Sequence, residues 1–362
     1  MEKLRKIRII LGITSPFLVL LLLYAMCCCF RRRFRWSRER ESLEDGGCGY
    51  GEEEGEKEAE EELTRFAGGE HLTVHDILEA PGEVVGKSSY ATLYRASLER
   101  SGSVVLLRFV RPACVGRTQD VLLAVQKLGP VRHPNLVPMT ALYAGPRGEM
   151  LFVHPFYAAG TLSQFLRDGV AESHRWGVIY KLSLGIVKGL DHLHTGLQRP
   201  VVHGNLKSNN ILLDHDLQPH LSDFGLHLLL NPTAGQKMLE ASAAQGYKAP
   251  ELVKMKDAST ESDVYSLGVV LLEMLTQKEI MNNKFLRSQD LHPPTSLRNL
   301  VLEHKVSDMF SSELINRSKK QNSSNEDSLL MFFQLAMACC SPTPALRPDI
   351  KYIVRRLEEI GQ

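Results

Sequence analysis

The chain has 362 residues, with 43 Lys and Arg against 42 Asp and Glu and a formal charge of +1. That length accommodates one large two-lobed domain plus extra segments, and the neutral balance gives no case for a nucleic-acid partner. Seven cysteines (Cys27, Cys28, Cys29, Cys48, Cys114, Cys339 and Cys340) are odd in number and lack metal-ligand spacing, which disfavours a disulfide framework or a zinc site.

A short tail, residues 1–6, precedes Ile7 to Phe30, which is almost uniformly apolar apart from Arg8, Gly12, Thr14, Ser15, Pro16 and Tyr24. About 20 such residues cross a bilayer as a helix, so the expectation for 7–30 is one transmembrane helix. A cleaved signal peptide would have a shorter apolar stretch, and Arg31-Arg32-Arg33-Phe34-Arg35 reads as a stop-transfer flank. Basic residues lie on both sides, with a modest excess after the helix that favours a cytosolic C-terminal side. Cys27, Cys28 and Cys29 stand at the inner boundary, as palmitoylation candidates or as small apolar residues ending a helix.

Residues 31–65 are first basic, then acidic, with Glu52 to Glu62 nearly all glutamate and glycine. Such a segment cannot bury enough apolar surface to offset its ordering entropy, and a disordered, charge-extended linker is expected. Order should begin at Phe66, because Leu72-Thr73-Val74-His75-Asp76-Ile77-Leu78 sets a capping Thr before a short amphipathic turn. From Glu83 to Val110, short β-rich runs such as Ala91 to Ala96 and Val104 to Arg108 predict a small antiparallel sheet. After His154, helical periodicity marks Thr161 to Arg167, Trp176 to Thr195, Ser262 to Thr276, Ser328 to Cys340 and Ile350 to Ile360. The expected fold is α+β and bilobal, with a sheet lobe at about 66–153 and a helical lobe at about 158–362. No repeat of solenoid period is present.

Seven signatures stand in order: Val85-Gly86-Lys87-Ser88-Ser89-Tyr90-Ala91-Thr92-Leu93-Tyr94, Arg132-His133-Pro134-Asn135-Leu136-Val137, His203-Gly204-Asn205-Leu206-Lys207-Ser208-Asn209-Asn210, Asp223-Phe224-Gly225, Gly246-Tyr247-Lys248-Ala249-Pro250-Glu251, Ser262-Asp263-Val264-Tyr265-Ser266-Leu267-Gly268 and Arg347-Pro348-Asp349. From about Phe66 onward the chain resembles plant leucine-rich-repeat receptor-like kinases, most of all their inactive transmembrane kinase-like branch, although without the ectodomain. The resemblance implies a protein-kinase fold and a cytosolic kinase-like domain, on a single-pass anchor in the plasma membrane. The sequons at Asn316 and Asn322 would then stay unglycosylated.

Matching the family residue by residue implies a degenerate site. Asn205 stands where the catalytic loop H-R-D-L-x-x-x-N has its proton-accepting Asp, a loss of general-base help that typically costs about 10²–10⁴ in rate. Arg108 replaces the lysine that grips the α- and β-phosphates, and a planar fork does not substitute for a compact ammonium. Ala124 falls on the glutamate that would orient that lysine, so their ion pair cannot form and Arg108 must find another acceptor or solvent. Of the phosphate-covering glycines only Gly86 remains, with Ser88 and Ala91 at the other two positions, and an ordinary β-hairpin is expected there. Leu106 replaces the small residue above adenine. The hinge is His154-Pro155-Phe156-Tyr157, where Pro155 keeps a carbonyl for the base and Tyr157 follows, while Leu212 would lie beneath it.

Asn210 and Asp223 match the two magnesium ligands, and Lys207 matches the catalytic-loop lysine. Gly204 replaces the arginine that receives an activation-loop phosphate, and Thr233 and Ser242 read as ordinary loop hydroxyls. Glu251 and Arg347 match a buried structural ion pair, and Asp263 matches the anchor that ties the catalytic loop to a central helix. No cofactor is required on this reading, with weak ATP binding supported by Mg²⁺ or Mn²⁺ as the alternative. The expected role is a non-catalytic scaffold or regulator that binds active receptor-like kinases or their cytosolic substrates. The alternatives are a slow Ser/Thr kinase and a nucleotide-sensing switch.

Overall fold

The computed structural model describes residues 62–168, 173, 175–276 and 324–361. The expected transmembrane segment 7–30, with Cys27, Cys28 and Cys29, the linker up to residue 61, and Asn316 and Asn322 lie outside the described residues. Among the described residues no helix is long and apolar enough to cross a membrane.

The N-terminal lobe is a six-stranded sheet, β1 Glu62–Arg65, β2 Gly82–Lys87, β3 Ala91–Ser97, β4 Val104–Val110, β5 Ala141–Ala144 and β6 Met150–Pro155. The strand order is β1-β5-β6-β4-β3-β2, and every pairing is antiparallel. The sheet begins four residues before the expected start at Phe66. Glu62 to Arg65 has little intrinsic strand preference, but the open edge of β5 supplies its hydrogen-bonding partners and overrides local propensity. Helix α1, Val74–Leu78, starts on the predicted cap: the Thr73 hydroxyl accepts from the Asp76 N–H and the Asp76 carboxylate accepts from the Thr73 N–H, a reciprocal capping box.

Period-2 alternation splits β4 between two environments. Val105 and Leu107 join Leu72, Ile77, Ala96, Leu98, Ala141 and Val153 in a core under α1. Leu106 and Arg108 face the opposite way, into the cleft between the lobes. Helix α2, Thr118–Leu128, crosses behind that cleft and buries Val121, Ala124, Val125 and Leu128.

The C-terminal lobe contains α3 Leu162–Arg167, α4 Trp176–Thr195, the two-stranded β7 Ile211–Leu213 with β8 Pro219–Leu221, α5 Pro232–Ala244, α6 Thr260–Thr276, α7 Ser324–Cys339 and α8 Ile350–Ile360. Helix α6 is the axis of this lobe. Its residues from Ser262 to Thr276 are buried almost without exception, as expected for a helix apolar all round. Helix α5 corrects the reading of 227–245 as loop. Asn231 caps it by accepting from the Ala234 N–H, Pro232 occupies the first turn, and Ala, Gln, Lys, Met, Leu and Glu follow.

Arg347 clasps Glu251 through two parallel bonds of 2.6 and 2.7 Å. It also donates to the carbonyls of Ser341 and Glu261 and lies over the Tyr265 ring. Three structural segments therefore converge on one guanidinium. Replacing Arg347 by Ala is expected to cost about 3 kcal/mol of unfolding free energy, measured by chemical denaturation, because Glu251 loses its partner and two carbonyls lose a donor.

Candidate functional site

Arg108 projects from β4 into the cleft and its side chain is buried, with about 8% exposed. A buried guanidinium needs a counter-charge, and Ala124, 6% exposed on the facing helix α2, offers none. The acceptor is Asp223: one guanidinium nitrogen donates to its Oδ2 at 3.2 Å and a second donates to Oδ1. Both carboxylate oxygens are engaged, a geometry the planar arginine fork allows and a lysine does not. Asp223 itself sits at φ 65, the left-handed region that non-glycine residues rarely adopt.

Above this pair the loop between β2 and β3 closes on itself. The Ser88 N–H donates to the Ala91 carbonyl at 2.9 Å, and the Ser88 hydroxyl accepts from the N–H groups of Ala91 and Tyr90. Backbone donors that a glycine-rich loop would offer to phosphate are thus spent within the hairpin. Gly86 lies beside the loop in β2, next to a bulge, facing Leu93. Tyr90 is only 8% exposed. Burial pushes its phenol up to about 12, the Asp223 carboxylate adds to the rise, and Arg108, Ser88 and Asn205 oppose it. That set of neighbours places the phenol between the two lobes, where terminal phosphates would have to pass.

Beside the Arg108–Asp223 pair lies a cavity of about 40 Å³ lined by these two residues and by Leu106, Leu128, Phe152 and His154, among others. Small-molecule pockets generally run to hundreds of Å³, so this space suits a few waters. The His154 imidazole, paired with the Pro138 carbonyl at 3.0 Å, is pulled down to about 4 by burial and by nearby Arg108. It stays neutral beside the guanidinium. At the hinge, Pro155 ends β6 opposite Val105, and the Tyr157 ring stacks at a tilt on His220 at 4.3 Å. His220 pairs with Leu212 across β7 and β8, so the hinge and floor residues come together.

The catalytic-loop residues face a different partner. Asn205 is 3% exposed, and its side-chain carbonyl accepts from the Ser242 hydroxyl of α5 at 3.0 Å. Lys207 donates to the Gln245 side chain at 3.1 Å, and burial lowers its pKa. Asn210 turns inward and donates its amide to the Asn205 carbonyl at 2.8 Å. The loop backbone is held by Asp263, whose two oxygens accept from the N–H groups of His203 and Gly204 at 2.6 and 2.8 Å, with His194 at 3.0 Å. Burial would raise the Asp263 pKa, yet these bonds and the neighbouring histidines outweigh it and leave it lowered. Gly204 takes φ 72, and a Cβ there would lie 2.5 Å from His227 Nδ1. Burial pulls His227 down to about 4.

These residues do not fit a magnesium triphosphate as they stand. Asp223 is committed to Arg108, and Leu106 and Tyr90 fill space that base and phosphates would need, while Asn210 spends only its amide N–H on the loop backbone and keeps its Oδ1. Sequence reasoning brought Arg108, Asn205, Asn210 and Asp223 to the cleft and left Arg108 without a named acceptor. It missed Tyr90, Ser242, Gln245 and His227. Only Ser242 and Gln245 carried a signal, the Asn231-Pro232 helix start.

Two outcomes follow from this geometry. Asp223→Ala should destabilise the fold by about 3–5 kcal/mol in denaturant titrations, because it strands a buried guanidinium, and Arg108→Leu in the same chain should recover most of the loss. His154 and His227 bind protons in the unfolded chain near pH 6.5 and in the folded chain only near 4. The unfolded state therefore holds more protons between those values, and stability is full above pH 6.5 and falls as pH drops toward 4. Melting temperature should fall by several degrees from pH 7 to 5, and less in His227→Phe.

The family comparison agrees with this architecture. The protein kinase domain family matches residues 80–356. The kinase-like protein TMKL1 of Arabidopsis thaliana is 36% identical over 311 residues, covering 85% of this chain and 46% of that protein. Four other Arabidopsis thaliana relatives, 30% to 33% identical, are named as inactive receptor kinases. The chain spans about half the length of the curated relatives it matches. Among solved structures, the maize SIRK1 kinase domain bound to AMP-PNP has a TM-score of 0.70 at 26% identity, covering 83% of this chain and 100% of that one. The pseudokinase domain of BIR2, described as an immune regulator of the RLK/Pelle family, has a TM-score of 0.62 at 25% identity, covering 77% and 80%. Fold, motif order and relatives agree that the chain belongs to the protein kinase domain family, among plant receptor-like kinases that include members named as inactive.

Proposed function

We propose that this chain is a membrane-anchored receptor-like pseudokinase, a non-catalytic scaffold or regulator that binds active receptor-like kinases or their cytosolic substrates. The observation that carries the reading is the Arg108–Asp223 pair, which joins the residue at the phosphate-gripping position to the residue at the metal-binding position. A site whose two phosphate-handling groups neutralise each other has no charge left for nucleotide. Asn205 in place of a carboxylate removes the proton acceptor as well.

The anchor in this reading is the helix proposed for 7–30, with the kinase-like domain on the cytosolic side of the plasma membrane and 31–61 as its tether. Tethering raises the effective concentration of the domain near membrane-bound kinases, which compensates for weak individual contacts. The inactive relatives and the BIR2 pseudokinase likeness support a role without phosphoryl transfer. In the residual-kinase alternative, Arg108 would have to leave Asp223 before a metal-bound nucleotide could enter.

A thermal-shift titration of the purified full chain with ATP and Mg²⁺ or Mn²⁺ tests this. The expected result is no rise in melting temperature at millimolar nucleotide, because a ligand that does not bind the folded state cannot stabilise it. A saturable rise, joined by radiolabelled phosphate transfer that vanishes in Asp223→Ala, would establish the enzyme instead.

A further inference from the structure

Helix α2 carries two consecutive residues that serve different cavities. Leu128 lines the cleft cavity beside Arg108, whereas Lys127 lines a separate recess of about 430 Å³ with Val131, Arg132, His192, Leu197 and Arg199. That volume falls in the range of small-molecule sites, about 300–1,000 Å³. Among the described residues, none that lines the recess is acidic.

Neutral groups hold its cations in place. The Lys127 ammonium donates to the Pro200 carbonyl at 2.7 Å, from α2 to the segment between α4 and the catalytic loop. The two terminal nitrogens of Arg132 each donate twice to carbonyls, to Gly129 and Val131 at 2.6 and 2.8 Å and to Ala67 and Met139 at 2.8 and 2.9 Å. A carbonyl orders a cation without cancelling its charge. Arg199 is exposed, and its guanidinium has no partner among the described residues. Nearby acids are spent elsewhere: Glu70, whose charge is felt at Arg132, puts both oxygens on the Gly68 N–H, and Asp191 accepts from the Thr195 hydroxyl. Three positive charges thus line one recess without a counter-charge.

We propose that this recess is a binding site for a phosphomonoester, separate from the nucleotide cleft. A phosphomonoester carries about two negative charges at neutral pH and three acceptor oxygens, which matches three cations better than a singly charged carboxylate does. Lys127 keeps two donors on a point charge, Arg199 offers an open guanidinium fork, and Arg132 keeps its Nε–H. The organic part of the ligand packs on Val131 and Leu197. Bound there, the ligand bridges α2 of the sheet lobe to the segment that leads into the catalytic loop, and so reinforces the Lys127–Pro200 strap. The ester belongs to a soluble metabolite or to a membrane-lipid headgroup, and the test separates the two. The site does not depend on whether the cleft binds nucleotide.

Calorimetric titration of the purified full chain tests the proposal, with glycerol phosphate as the soluble ester and deacylated phosphatidylinositol phosphate as the lipid headgroup. Saturable binding is expected, and the tighter of the two esters identifies the source. Arg199→Gln removes an exposed side chain that supports no other contact. It should leave melting unchanged and weaken binding about tenfold, as for loss of one charge-assisted hydrogen bond. Lys237→Gln on α5 makes the same charge change outside the recess and should leave affinity unaltered. No saturable binding of either ester, acetate binding as tightly as the esters, or equal losses in the two variants would overturn the proposal. A thermal shift with ATP and Mg²⁺ that Arg199→Gln abolishes would belong to this recess and support it. One that persists in Arg199→Gln would defeat the pseudokinase reading and leave the ester result unchanged.

Discussion

A buried arginine without an acid on its facing helix must find a carboxylate elsewhere, and that requirement organises the cleft. With Ala124 on α2, the guanidinium of Arg108 reaches across to Asp223 and ties the sheet lobe to the segment that follows β8. The pair gains Coulomb energy only because both partners have left water together, and either one alone would be costly there. Around it, burial above all keeps His154 uncharged beside Arg108 and the Tyr90 phenol protonated beside Asp223, and the remaining cavity has a few waters' worth of space. Arg108 in strand β4 and Ala124 in α2 thus make this part of the cleft a self-neutralised seam.

Around Gly204 and Asn205 of the catalytic loop, the helical lobe is held by a dense set of buried contacts. Asp263 holds the backbone of the catalytic loop, and Glu273 collects hydrogen bonds from Tyr247 and Ser208 at 2.5 and 2.9 Å. With Arg347 and Glu251, these contacts fix the segment from Gly246 to Glu251 against α6 and the turn before α8. That segment and the catalytic loop are therefore rigidly supported. A fold can keep its architecture while its site changes role, because the groups that hold the backbone are distinct from those that would touch nucleotide.

The division between what the sequence disclosed and what it did not follows the physics. Helices Trp176–Thr195 and Ile350–Ile360 were legible to the residue, because their apolar period and their length agree. Strand Glu62–Arg65 was not, since its stability comes from the edge of β5 and not from its own composition. Helix α5 was readable in principle, from Asn231-Pro232 and the helix formers after it, but kinase precedent pointed to an extended loop. The vacancy left by the lost glutamate could be read from Ala124 alone. Which carboxylate would fill it depended on a contact between residues 108 and 223, a separation at which spacing carries no information.

The glycine at position 204 shows how little room the catalytic loop leaves for a side chain. Its backbone lies at φ 72, and the volume a side chain would claim is already taken by the His227 imidazole, with the Met255 methyl 3.2 Å from where a Cβ would sit. An arginine there would need both neighbours to move as well as a left-handed backbone that residues with a side chain rarely adopt, so conformation and packing together reserve this corner for glycine.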